Sequence, residues 1–89
     1  MPVPDLPNLG PASLAMLERA GIASLAQLRE LGAVRAFAKV RASGSRPSLN
    51  LLWALEGALC GLPWQEVARR HRTSLLLALE ELERARGGP

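Results

Sequence analysis

Between Leu49 and Leu62 only Asn50 and Glu56 are polar. A helix that is apolar on nearly all sides cannot lie on a surface, so this segment has to be wrapped by the rest of the chain. Ser48 stands where an N-cap belongs, and Gly61-Leu62-Pro63 reads as a stop followed by a new start. The run is too short to span a bilayer, which takes about 20 residues, and Glu56 interrupts it. Glu56 must therefore find a donor or sit at a seam, and an arginine or backbone N–H partner is expected for it. With 89 residues, 48% hydrophobic and 21% charged, the composition is that of a folded chain. A chain of this size buries only about 60% of its unfolded surface, so almost every apolar residue is needed in one core. One domain over residues 1–89 is expected, with an ordered core spanning about residues 5–85.

The other elements follow from punctuation and spacing. Three prolines in the first seven residues keep the opening extended, and Gly10-Pro11 starts a helix with Leu14, Leu17 and Met16 inward. Ser24 and Gln27 have capping-box spacing and open a second helix with Leu25, Leu28 and Leu31 on one face. After Gly32, a third helix carries Val34, Phe37, Ala38 and Val40 inside and Arg35, Lys39 and Arg41 outside. Ala42 to Pro47 is a loop. Trp64, Val67, Ala68 and His71 share a face of a short fifth helix. Thr73 or Ser74 caps a sixth, with Leu75, Leu76, Leu79 and Leu82 inward and Glu80, Glu81 and Glu83 outward. Gly87-Gly88-Pro89 reads as a frayed tail. No alternation survives as a strand. The fold class is all-α, a compact bundle of five to six short helices around a central apolar one.

Chemistry that needs clustered ligands or nucleophiles is not written in the chain. One cysteine excludes an intrachain disulfide, and one His with one Cys, eleven positions apart, makes no zinc site. No carboxylate pair has an acid/base setting, so no enzyme activity, metal or cofactor is expected. Cys60, amid apolar neighbours, is expected to be buried and inert. Trp53 and Trp64, two of only three aromatic residues, are expected in the core. Met1-Pro2-Val3-Pro4-Asp5 has no basic region followed by an apolar run, so no signal peptide and a cytoplasmic protein are expected.

What the chain offers outward is positive charge: eleven Lys+Arg against eight Asp+Glu, a net charge of +3. Arg35, Lys39, Arg41 and Arg46 form a run without an acid, and Arg69, Arg70 and Arg72 flank His71 in a second. On one face the two runs would hold phosphates in a salt-dependent way. Paired with Glu66 or the C-terminal glutamates, they would be an ordinary solvated surface. The turn Leu6-Pro7-Asn8-Leu9-Gly10-Pro11 leaves the N–H groups of Ala12 and Ser13 at a helix start, where partial positive charge suits an anion. It resembles the phosphate-binding turn of helix-hairpin-helix modules. The plainer alternative is a turn that packs Leu6 and Leu9 on the core.

Leu6-Pro7-Asn8-Leu9-Gly10-Pro11, Ala20-Gly21-Ile22, Leu31-Gly32-Ala33-Val34 and the run from Asn50 to Leu59, with Gly61 and Trp64, resemble the C-terminal domain of TfoX/Sxy proteins. The similarity spans roughly residues 5 to 82 and is most specific from Asn50 to Leu59. The resemblance implies a helix-hairpin-helix-like module from regulators of bacterial natural transformation, linked to switching on DNA-uptake genes alongside the cyclic-AMP receptor protein. Full-length members carry a separate N-terminal domain, which this chain is expected to lack. The expectation is a non-enzymatic regulatory module. It would contact double-stranded DNA through Gly10, Ala12, Ser13, Arg35, Lys39, Arg41, Arg46, Arg69, Arg70 and Arg72, with little base specificity, or contact transcription-regulator proteins. The alternative is a protein–protein adaptor or dimerisation domain without nucleic-acid contact.

Overall fold

Glycine and proline divide the chain much as their positions suggest. The computed structural model describes residues 9–87 and, among them, six helices and no strand. In order they are α1 (Pro11–Arg19), α2 (Leu25–Leu31), α3 (Ala33–Ala42), α4 (Leu49–Cys60), α5 (Trp64–Arg70) and α6 (Arg72–Gly87). The opening prolines Pro2, Pro4 and Pro7, the Leu6-Pro7-Asn8 part of the turn, and Gly88-Pro89 lie outside the described residues. The radius of gyration of 12.1 Å is what a globule of about this length has, so the helices fold back on one another rather than stacking end to end.

The start of α2 is the expected capping box, with one difference. Ser24 Oγ accepts from Gln27 N–H, but Gln27 Oε1 reaches past Ser24 and accepts from Ala23 N–H at 2.7 Å. Gly32 alone joins α2 to α3: its N–H donates to Leu28 and its carbonyl accepts from Ala36. Its φ of +82° with ψ of 162° lies in a region essentially restricted to glycine, which is why two helices can meet at a single residue. At the end of α4, Gly61 is left-handed at φ +74°, and the N–H groups of Gly61 and Leu62 both donate to the Gly57 carbonyl.

The apolar segment is buried as its composition demands. Leu51, Leu52, Trp53, Ala54, Leu55 and Gly57 of α4 are all inside. Yet α4 does not hold the centre alone. It packs on α3 and α5, whereas α3 touches α1, α2, α4 and α6. The small residues Ala33, Ala36 and Ala38 are buried beside Phe37 and Val40, and they let neighbours approach α3 from several directions. Leu9, Leu17, Ile22, Leu28, Val67, Leu75 and Leu79 complete the core.

Several local expectations are corrected. Ser48 is the N-cap of α4, but its hydroxyl accepts no capping bond; only its carbonyl is used, by Leu51 N–H. α6 begins at Arg72, ahead of Thr73 and Ser74, and Ser74 Oγ donates back to the His71 carbonyl instead of capping N–H groups. Gly87 still belongs to α6 rather than to a frayed tail. Cys60 is exposed, because it is the last residue of α4 on a flank that no neighbour covers; its thiol donates to the Glu56 carbonyl. Glu56, one turn earlier on that flank, is half-buried, and its carboxylate has no donor among the described residues. It sits at a seam where water reaches it, so the expected arginine or N–H is not needed. Trp53 is in the core, whereas Trp64 is only half-buried. Placed at the first position of α5, Trp64 has one side of its ring on the core and the other along an open groove.

Candidate nucleic-acid interface

Gly10, in an extended conformation, is the N-cap of α1 and accepts from Leu14 N–H at 3.0 Å. No side chain caps this end, and Pro11 at the first helical position has no N–H to satisfy. The N–H groups of Ala12 and Ser13 have no acceptor among the described residues. Gly10 and Ala12 are exposed, while Ser13 is half-buried on a shallow groove of about 230 Å³ shared with Met16, Ser48, Asn50 and Trp64. The helix start thus opens beside the first turn of α4.

The first basic run does not form one patch. Arg35 and Lys39, four residues apart, project from one exposed face of α3. Lys39 lines a second groove with Gln27 and Glu30 of α2. Arg41 comes off another side of the helix. Its Nη1 donates to both carboxylate oxygens of Glu83 on α6, at 2.7 and 2.8 Å, and its guanidinium carbon lies 4.9 Å from the centre of the Phe37 ring. Arg46 is exposed in the loop between α3 and α4.

The second run is divided in the same way. Arg69 donates to Glu66 one turn earlier in α5. Arg70 and Arg72, on either side of His71 at the α5–α6 junction, are exposed and have no carboxylate partner among the described residues. Farther along α6, Arg84 is held by both Glu80 and Glu81. Both readings of the basic runs therefore apply, residue by residue: Arg41 and Arg69 are paired, whereas Arg35, Lys39, Arg46, Arg70 and Arg72 have no carboxylate partner among the described residues.

The pairing of Arg69 with Glu66, one helical turn earlier, is as the solvated-surface alternative expects, and so is a C-terminal glutamate as a partner. That Glu83 in particular meets Arg41, forty-two positions away, had no local signal, and the Phe37 ring beside that guanidinium is the residue that inspection of charge runs passes over. Among the described residues no group of His, Cys, Asp or Glu could hold a metal ion, and no helix is long and apolar enough to cross a membrane.

The family model of the TfoX C-terminal domain matches residues 2–79. The DNA transformation protein TfoX of Haemophilus influenzae is 36% identical over 83 residues, covering 93% of this chain and 38% of that protein. The DNA transformation protein TfoX1 of Aliivibrio fischeri is 33% identical over 73 residues, covering 81% of this chain and 35% of that protein. The chain thus spans little more than a third of the length of these relatives. No solved structure matches it.

Proposed function

The chain belongs to the TfoX C-terminal domain family, and we propose that it is a non-enzymatic regulatory module of DNA transformation that holds duplex DNA by the phosphate backbone. The relatives carry the words DNA transformation in their names, and this reading extends that role to a direct contact. The observation that supports it best is that five cations of the two basic runs, Arg35, Lys39, Arg46, Arg70 and Arg72, have no carboxylate partner among the described residues, as is also true of Arg19 and Arg29 outside those runs. Five exposed positive groups on a chain of net charge +3 suit a polyanion. The N–H groups of Ala12 and Ser13, without an acceptor among the described residues, would add an uncharged phosphate contact. Arg41 and Arg69, already paired, contribute less to this surface than the free five.

Each phosphate neutralised by a cation adds about 0.9 to the slope of log affinity against log salt on duplex DNA. Fluorescence anisotropy with a labelled duplex should therefore show a slope of about −3 to −4 if most of the free cations engage. Replacing Arg70 and Arg72 together with Gln lowers that slope by about 1.8. The melting temperature stays almost unchanged, because both side chains are exposed. Duplexes of unrelated sequence bind about equally well, since backbone contacts carry no base information. Absence of binding at low salt, or binding indifferent to salt, overturns the reading.

A second reading, a protein–protein adaptor or dimerisation domain, is favoured by the groove beside half-buried Trp64 and by Leu77, which is 58% exposed on α6. Sedimentation equilibrium separates the two. A concentration-dependent dimer that ignores DNA supports the adaptor, and a monomer that binds duplex supports the first reading.

A further inference from the structure

Arg41 differs from the other cations of its run in being tied to a helix far away in sequence. Nη1 holds both oxygens of Glu83, while Nη2 and Nε have no acceptor among the described residues. The Phe37 ring beneath the guanidinium fixes its direction, so little rotamer freedom remains to be lost on binding an anion. The pair is open to solvent, with the Arg41 and Glu83 side chains 42% and 38% exposed. Both carboxylate oxygens sit on the single Nη1 rather than on two parallel N–H groups, and the two free oxygens of a phosphodiester are a like pair of acceptors for the same donor.

Resting on the DNA reading above, we infer that Arg41 is a phosphate subsite that the folded chain keeps occupied with its own Glu83. Glu83 acts as an internal competitor for the backbone phosphate, so in the wild-type chain Arg41 stays on the carboxylate and takes a phosphodiester only by an exchange that Glu83 opposes. The exchange frees the second half of α6 from its polar tie to α3. α6 stays on the core through buried Leu75 and Leu79. Because the pair is exposed, the competition is weak and reversible.

The test compares the affinity and salt slope of the wild-type chain for a labelled duplex with those of two variants. Glu83→Gln tightens binding about twofold to fivefold, the factor that corresponds to an exposed ion pair. It also steepens the slope by about 0.9, one additional phosphate contact. Adding Arg41→Gln to that variant returns the slope to the wild-type value. Glu80→Gln makes the same change in charge but leaves Arg84 on Glu81, and it alters the slope little. Equal tightening by Glu80→Gln and Glu83→Gln, or an unchanged slope in Glu83→Gln, overturns the subsite and leaves the DNA reading standing. Failure of both chains to bind at low salt overturns the DNA reading and the subsite with it.

Discussion

α4 and α6 are the two longest helices, and they use their lengths in opposite ways. α4 buries six of its twelve residues and presents almost no charge. α6, with sixteen residues, places only Leu75 and Leu79 in the core and carries Glu80, Glu81, Glu83 and Arg84 outside. α4 is packed on α3 and α5 and buries Leu51 to Leu55, and the flank with Glu56 and Cys60 is left open. α6 lies against α3 and α5 along one stripe and leaves the remainder to water. The contrast shows that α4 serves mainly the core and α6 mainly the surface, whereas α3 carries both core residues and cations. Substitutions can therefore alter one with little effect on the other.

The largest effect should come from the interior of α4. Leu52, with no exposed surface, is expected to cost about 2–5 kcal/mol on truncation to Ala, by lost transfer energy and the cavity left behind. Urea unfolding measures it, and a loss below about 1 kcal/mol would mean that the neighbours of α4 collapse easily and that the core is looser than its packing indicates. A smaller cost is expected at the helix end. Gly61→Ala meets no neighbour within 4 Å, so only the left-handed backbone is penalised, by about 1–2 kcal/mol. The smallest belongs to α6. Leu77→Ser should shift stability by less than about 0.5 kcal/mol, as for exposed positions generally. If it lowers stability as Leu52→Ala does, the separation between the two helices is wrong. If it abolishes a dimer, the adaptor reading gains at the expense of the DNA reading.

Much of the architecture was legible because its causes are local. The Ser24–Gln27 box, the breaks at Gly32 and Gly61, and Pro11 at a helix start act within a few residues and can be recognised from spacing alone. The burial of Leu51 to Leu55 followed from composition, since so apolar a helix has no other stable place. Ser48 and Ser74 show the limit of such signals: each stands near a helix start, yet neither hydroxyl caps it. Hydroxyl geometry depends on the exact first turn, which residue type does not specify.

The candidate site was less legible. The two basic runs were visible, but a run of charges along a helix points in several directions. Arg35 and Lys39 fall on one face and Arg41 on another, and only the packing of α6 against α3 brings Glu83 to Arg41. Cys60 and Trp64 failed in the same way. Their apolar neighbours in sequence belong to their own helix, whereas exposure depends on where the neighbouring helices stop.

By itself the sequence determined that the described chain is helical, where most helices begin and end, and that the Trp53 segment lies inside. These follow from backbone freedom and the removal of apolar surface from water, both of which depend on residue type and near spacing. Only the tertiary structure decided that α3 would be the helix touching most others, and which arginines would be bound and which left free. Those outcomes depend on side chains from distant parts of the chain meeting at a few ångströms, and helix packing alone sets that distance.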